Sequence, residues 1–298
     1  MMPEITIKSL RRLADMRTVV DLQRVYWGED VESVVPAHML FSLATHGGHV
    51  LAAYDGAHLV GVLIGFLGTS EENETRPAMA NLQIVSKRMV VLPEYRGHGI
   101  GYRLKLAQRD LAIQHGIRLI TWTFDPLLAA NAHLNVRKLG VVCQYYLEDY
   151  YGTDDEGGLA TLGSSDRLLA EWWVTNRRVK ERVSGVRSPL SLRHYLDANT
   201  DILNAARSGR FVEPAERVAS PRSSLALVEI PPDWQLMQIE APDIARRWRL
   251  HIREILKARF ALGDTITDFV RDRDGERERA FYVLSRHSSS PGEADLLN

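Results

Sequence analysis

A single cysteine, Cys143, in 298 residues excludes an internal disulfide and any cluster of thiolates around zinc. Charge of one sign is also lacking, since 37 Lys plus Arg stand against 38 Asp plus Glu for a net of -1. So weak a field does not hold a polyanion, which argues against nucleic acid or a membrane surface as the main partner. No apolar run approaches the ~18 residues of a membrane span. Met1 to Ser9 has neither the basic segment nor the apolar stretch of a signal peptide, so a cytoplasmic protein is expected. His, Asp and Glu are too scattered for a metal pattern, and no metal is expected. What is present is 45% apolar and 8% aromatic residues, enough for a sizeable core in two domains or one enlarged domain.

Hydrophobic periodicity and turn residues divide the chain into elements. Ile5 to Ser9 reads as a strand and Leu13 to Trp27 as a helix, with Met16, Val19, Val20, Leu22 and Tyr26 at three- and four-residue spacing. A second helix follows Pro36 and runs to Thr45. Val50 to Tyr54 and Leu59 to Phe66 are strands joined around Asp55-Gly56, a strong hairpin signal. After a polar loop from Glu71 to Pro77, Leu82 to Leu92 is a strand that Pro93 ends. Ile100, Leu104, Ala107 and Leu111 line one face of a helix that Gly116 closes. Leu119 to Phe124 is a strand, and Leu127 to Leu139 a helix closed by Gly140. Val141 to Leu147 and Arg167 to Val174 read as two more strands around an acidic, glycine-rich loop from Asp154 to Gly163.

The remainder has a different texture. Residues 181–224, rich in Ser, Pro and Arg, read as a linker or wrapping segment with one helix near Leu196 to Ala206. Leu225 to Ile230, a helix from Ala241 to Leu262, and a hairpin of Thr265 to Val270 with Ala280 to Ser285 make an accessory β-α-β-β unit over 225–287. A flexible tail covers 288–298.

The most informative segment is Arg96-Gly97-His98-Gly99-Ile100-Gly101, between a strand ending near Leu92 and a helix running to His115. Three glycines there let the backbone approach a bulky anion, and a helix amino terminus adds about half a positive charge. Phosphate is the natural guest; a tight turn that merely needs positive φ is the plainer reading. A P-loop is excluded because no Gly-Lys-Ser/Thr follows. A Rossmann-type nucleotide site fits poorly, since Tyr102 stands where the third glycine belongs and Pro93 to Arg96 separate strand from glycine. Asp125, at the end of the next strand, is the one feature that mimics it.

With its lead-in, Val91-Leu92-Pro93-Glu94-Tyr95-Arg96-Gly97-His98-Gly99-Ile100-Gly101 resembles the pyrophosphate loop of the GNAT superfamily of acyl-CoA-dependent N-acyltransferases. The order of elements over residues 5 to 174 is also similar to that superfamily, and Asn131 to Gly140 looks like its second cofactor-contacting helix. The resemblance implies an α/β (α+β) fold with a mixed, mostly antiparallel central sheet flanked by helices. It implies a catalytic domain over 1–180, with acetyl-CoA or another acyl-CoA as co-substrate. The cofactor contacts it implies are Met89, Val90 and Val91 on the free edge of the fourth strand, then Arg96, Gly97, His98, Gly99, Ile100, Gly101 and Tyr102, and Asn131. An oxyanion donor is expected from a backbone N–H near Val90 or Val91. The acceptor expected is the primary amine of a small molecule such as an amino acid, and a homodimer stays open.

An ordinary amine, with a pKa near 10.4, is almost wholly protonated at pH 7, and freeing its lone pair costs about 4 to 5 kcal/mol. A general base is therefore worth seeking. Many relatives in the superfamily carry a Glu on the fourth strand, yet Leu82 to Leu92 contains no carboxylate. Asp125 is the substitute expected, with its role as a helix cap the plainer alternative, and His133 on the next helix is a second. The superfamily's usual acid is a Tyr at a position that Val136 occupies here. Tyr146, one of a cluster with Tyr145, Tyr150 and Tyr151, is named in its place.

Lys87 and Arg88 either face the acceptor pocket or solvent. Arg246, Arg247, Arg249, Arg253, Lys257 and Arg259 read as a solvated basic face opposite an apolar side of Trp248, Ile252, Ile255, Leu256 and Phe260. The rival readings are a non-catalytic acyl-CoA-binding module and, behind it, a Rossmann-type enzyme.

Overall fold

The computed structural model describes residues 4–28, 34–69, 78–153, 160–186, 188–274 and 277–286. The loop from Glu71 to Pro77, the 154–159 part of the acidic loop and the 288–298 tail lie outside them. The chain divides into two compact units, residues 1–122 with 173–175, and residues 123–172 with 176–298. The residues expected as an accessory tail thus share a unit with 123–172.

In the first unit, β1 (Ile5–Ser9), β2 (His49–Asp55), β3 (His58–Thr69) and β4 (Leu82–Val91) pair in sequence order, each antiparallel to the next. β5 (Leu119–Phe124) adds in parallel to β4. The helices α1 (Leu13–Trp27), α2 (Ala37–Thr45) and α3 (Ile100–Gln114) flank this mixed sheet. Six successive residues of β3, Val60 to Gly65, are buried, so both faces of that strand are covered, as a run without polar alternation demands. Met16, Val19, Leu40, Val62, Leu63, Ile64 and Leu104 are wholly enclosed. Truncating one such leucine to alanine costs about 2–5 kcal/mol. The mixed, mostly antiparallel architecture is the one expected.

The second unit contains α4 (Ala129–Ala132), the two-residue strand β6 (Tyr146–Leu147) antiparallel to β7 (Arg167–Trp173), and α5 (Arg177–Val183). It continues with α6 (Leu192–Asp197), β8 (Asp201–Ile202), β9 (Leu225–Ile230), α7 (Trp234–Glu240), α8 (Pro242–Ala261), β10 (Asp264–Asp274) and β11 (Arg277–Arg286). A four-stranded sheet has the order β10-β11-β9-β8, and β11, central in it, is buried from Ala280 to Ser285. Leu227, Val270, Phe281 and Val283 make a core with Leu192 and Tyr195 of α6. Among the described residues no helix is long and apolar enough to cross a membrane.

Several expectations shift. The strand expected over Val141 to Leu147 survives only as β6, because Val142 bridges to Glu171 while Cys143 exchanges both backbone hydrogen bonds with Ile266, at 3.2 and 2.8 Å. Neighbouring residues that pair with different segments cannot build one ladder. The helix expected from Leu127 to Leu139 is a single α-turn, α4, that widens into a π-helical stretch over His133–Lys138. The helix expected near Leu196 to Ala206 lies earlier, as α6. Ser191 and His194 form a capping box at its start, and Asn199, at φ 54°, follows its end. Neither α5 nor α7 was anticipated.

Candidate functional site

The glycine loop lies wholly in the first unit. β4 stops at Val91, and the Leu92 N–H donates to Val60 O at 2.9 Å, which ties the strand end to β3. A single 3₁₀ turn, Pro93–Tyr95, follows, anchored where the Tyr95 hydroxyl donates to Asp55 at 3.0 Å. Gly97 and Gly99 then adopt φ of 79° and 77°, a left-handed conformation that disfavours side chains, and Gly99 is the N-cap of α3. Among the described residues no side chain caps this terminus. The first backbone bond into α3, Arg103 N–H to Gly99 O at 3.0 Å, leaves the N–H groups of Ile100, Gly101 and Tyr102 without helical acceptors. Among the described residues a Cβ built on either glycine would meet nothing within 4 Å, so the space over the loop is open to them. Arg96 to Gly99 are exposed, whereas Ile100 is buried and fixes the helix start. Burial pushes the Tyr102 phenol up, more than Arg109 draws it down.

β4 is shaped by a β-bulge. Its register with β3 passes from Ile64 opposite Arg88 to Gly65 opposite Ser86, so Lys87 is the extra residue, and it is exposed. The β4–β5 ladder consists of two pairs, Ile84 with Ile120 and Val85 with Thr121. It ends just before the bulge. Beyond that point strand alternation decides which amides face the edge away from β3. Leu92 N–H points to β3 and Val90 O lies 3.1 Å from a Cβ built on Gly61 of β3, so the backbone groups of Val90 also face β3. Met89 and Val91 turn theirs to the opposite edge, where Arg96 Nε reaches Val91 O at 3.3 Å. Val90 is thereby corrected as an edge contact and as an oxyanion donor; Met89 and Val91 keep the geometry for it.

Sequence reasoning missed a buried polar cluster in the same unit. Lys105, 2% exposed on α3, donates through Nζ to Ser86 Oγ at 2.8 Å and sits 3.3 Å from the centre of the Trp122 ring. Burial pushes its amine well below the usual lysine range. Beside it Gln108 bonds His49 Nε2 at 2.8 Å. Burial, reinforced by Lys105 and His115, pushes His49 down to about 4. Arg88 donates to Gln23 at 3.2 Å. The one available signal was that Lys105 directly follows Leu104 of the apolar stripe of α3.

The second unit places the other candidates. Asp125 accepts from Arg249 through both oxygens, at 2.8 and 2.6 Å, and caps the Leu127 N–H at 2.8 Å. A carboxylate so occupied is poorly placed to take a proton. The Tyr146 hydroxyl donates to Asp166 at 2.6 Å, and the same fully buried Asp166 accepts from Arg253 at 2.9 and 2.7 Å. Burial, together with Asp166, pushes the Tyr146 phenol far up, which makes it a weaker proton donor than free tyrosine. His133 is half-buried on the π-helical stretch. Burial, with Lys138, Arg271 and Arg137 nearby, lowers its pKa and keeps the ring neutral at pH 7. Its Nδ1 is sealed from solvent without a hydrogen-bond partner among the described residues. Asn131 is exposed.

The expected solvated basic face of α8 is corrected at Arg249 and Arg253, while the side chains of Arg246, Arg247 and Lys257 stay about half exposed. Arg249 is 4% exposed. Arg253 pairs with Glu148, Asp149 and Asp166, and Lys257 with Glu148. These cations are drawn to carboxylates of the 125–166 region. Among the described residues no group of three or more His, Cys, Asp or Glu could hold a metal ion.

Residues 16–140 match the model of the acetyltransferase (GNAT) family. This stretch, which contains the glycine loop, the bulged β4 and α3, is a GNAT acetyltransferase domain. A search of curated proteins gave no match. Among solved structures, the ribosomal-protein-S18-alanine N-acetyltransferase of Escherichia coli is similar at 15% identity, over 58% of this chain and 95% of that one, with a TM-score of 0.43. A mosquito arylalkylamine N-acetyltransferase (like 5b) is similar at 20% identity, over 56% and 99% of the two chains, with a TM-score of 0.43. NAA60 of Arabidopsis thaliana, in complex with acetyl-CoA, is similar at 13% identity, over 58% and 99%, with a TM-score of 0.46.

Proposed function

We propose that the chain is an acyl-CoA-dependent N-acyltransferase, with acetyl-CoA the first donor to test, that passes the acyl group to the primary amine of a small molecule. The observation that carries this reading is the pair of left-handed glycines under open space at an uncapped helix start. Anion binding is what such a terminus offers, through unpaired N–H groups and the helix dipole. In this reading the amides of residues 97–102 hold the diphosphate of acyl-CoA, with the Arg96 and His98 side chains beside it. The amide groups of the pantetheine arm bond the edge of β4 at Met89 and Val91 in this reading, and Asn131 stays a candidate contact.

The amine attacks the thioester carbonyl, a tetrahedral oxyanion forms, and its collapse expels the CoA thiolate and leaves an N-acyl amine. The Val91 or Met89 N–H is the oxyanion donor in this reading. His133, neutral at pH 7 because burial opposes its charging, is the candidate base that remains. Asp125, occupied by Arg249, is a positioning residue. A thiolate of pKa about 8.5 leaves without a dedicated acid, so Tyr146 is not required as one.

A second reading, a CoA-binding module without chemistry, is favoured by one observation. Two of the three acid–base candidates, Asp125 and Tyr146, already spend their polar atoms inside the fold. Release of free thiol from acetyl-CoA across a panel of primary amines separates the two. Turnover above the hydrolysis background supports the transferase, and CoA binding with no turnover supports the module.

A further inference from the structure

The second unit holds a cavity of about 200 Å³. That is smaller than the ~300 to 1,000 Å³ of pockets for drug-sized ligands, so its guest is a small molecule. Successive turns of α8 contribute Arg246, Arg249 and Arg253 to its wall, and α7 contributes Trp234. Trp234 is 2% exposed, and its Nε1–H has no acceptor among the described residues. Buried indole N–H groups ordinarily find one, so this donor is left for something else. The Arg249 guanidinium lies 5.0 Å from the same indole and uses two of its five N–H donors on Asp125.

The backbone around the cavity is strained as well. Asp149 and Leu162, at φ 45° and 56°, are two of the three non-glycine residues with positive φ among the described residues, and both line this cavity. Such strain concentrates at binding sites because the surrounding structure must hold it in place. The wall is rich in donors and poor in free acceptors. Asp149, the one carboxylate among the described residues of the wall, already accepts from Arg253 at 3.1 Å and from the Ser165 N–H at 3.3 Å. Leu162 and Leu250 supply an apolar side.

We propose that this cavity binds a small organic carboxylate, whose oxygens accept from Trp234 Nε1 and from the Arg246 and Arg249 guanidinium groups while its apolar body lies against Leu162 and Leu250. A planar carboxylate matches the donor fork of arginine, and the apolar side distinguishes an organic anion from bare phosphate. The proposal concerns the second unit alone and stands whether or not the chain transfers an acyl group.

The test is calorimetric titration of the full chain with 4-methylpentanoate, its amide 4-methylpentanamide, and inorganic phosphate. Expected are saturable 1:1 binding of the carboxylate, at least about tenfold weaker binding of the amide and of phosphate, and at least about tenfold weakening in Trp234→Phe, which keeps the ring and loses the N–H. Arg246→Gln, with a side chain 55% exposed, serves if Trp234→Phe fails to fold, and should weaken binding at least threefold. No saturable binding, equal binding of acid and amide, equal binding of phosphate, or unchanged affinity in a folded variant overturns the proposal. Carboxylate binding by protein that ignores CoA supports it and counts against the acyltransferase reading instead.

Discussion

Asp125 and Arg249 lie 124 residues apart in the chain and meet through two parallel hydrogen bonds of 2.8 and 2.6 Å. Both partners are largely shielded, with side chains 13% and 5% exposed. Removing one leaves a buried charge without compensation, whereas removing both removes the problem. Asp125→Ala should therefore lower the unfolding free energy by about 3–5 kcal/mol, and the double variant Asp125→Leu with Arg249→Met should recover most of that loss. Urea unfolding of the three proteins measures it. A single variant within about 1 kcal/mol of the parent would show that the pair carries little.

Acid stability should depend on His49. Its folded-state pKa of about 4 lies below the ordinary 6.5, so between those pH values the unfolded chain binds a proton that the folded chain does not. The stability it contributes is complete above pH 6.5 and is lost as pH falls toward 4, by about 3 kcal/mol in all. His49→Gln should flatten the stability profile across that window and leave its slope above pH 7 unchanged. An identical slope in both proteins would mean the ring titrates normally.

His133→Gln should lower kcat by about 10²-fold or more and leave CoA affinity unchanged, as expected of a lost general base. In the parent, the acid limb of the rate profile should have its midpoint below 6.5, because burial lowers this pKa. Full turnover in the folded variant would reassign the base.

Tyr146→Phe should keep turnover close to the parent, far from the ~10²-fold loss that follows removal of a general acid. It should cost about 1 kcal/mol or more of stability, since Asp166 loses one of its donors. A large fall in kcat without a fall in stability would restore Tyr146 as the acid.

The sequence made the first unit readable because its punctuation is chemical. Pro93 ends β4, Asp55-Gly56 turns the β2–β3 hairpin, and the glycines at 97 and 99 stand where positive φ is needed. The strand expected over residues 141–145 rests on the apolar run Val141-Val142-Cys143, but the pairing partners, Glu171 and Ile266, are far away in sequence. The same holds for α8. Arg249 and Arg253 look like part of a solvated face until Asp125, Asp149 and Asp166, 87 to 124 residues earlier, are brought to them. Lys105 was invisible for a local reason, as a lysine on an amphipathic helix is normally exposed, and its burial here depends on Ser86 and Trp122, which are distant in sequence.

The central claim is that the amides opening α3 receive the diphosphate of coenzyme A. Calorimetric titration of CoA into the parent and into Gly99→Val tests it most directly, with thermal unfolding as a check on the fold. The valine side chain would enter the open space over the loop and strain a backbone at φ 77°. The parent should bind CoA saturably, and the folded variant at least about tenfold more weakly, a loss of 1.4 kcal/mol or more. Absence of CoA binding by the parent, or equal affinity in the two proteins, would contradict the account.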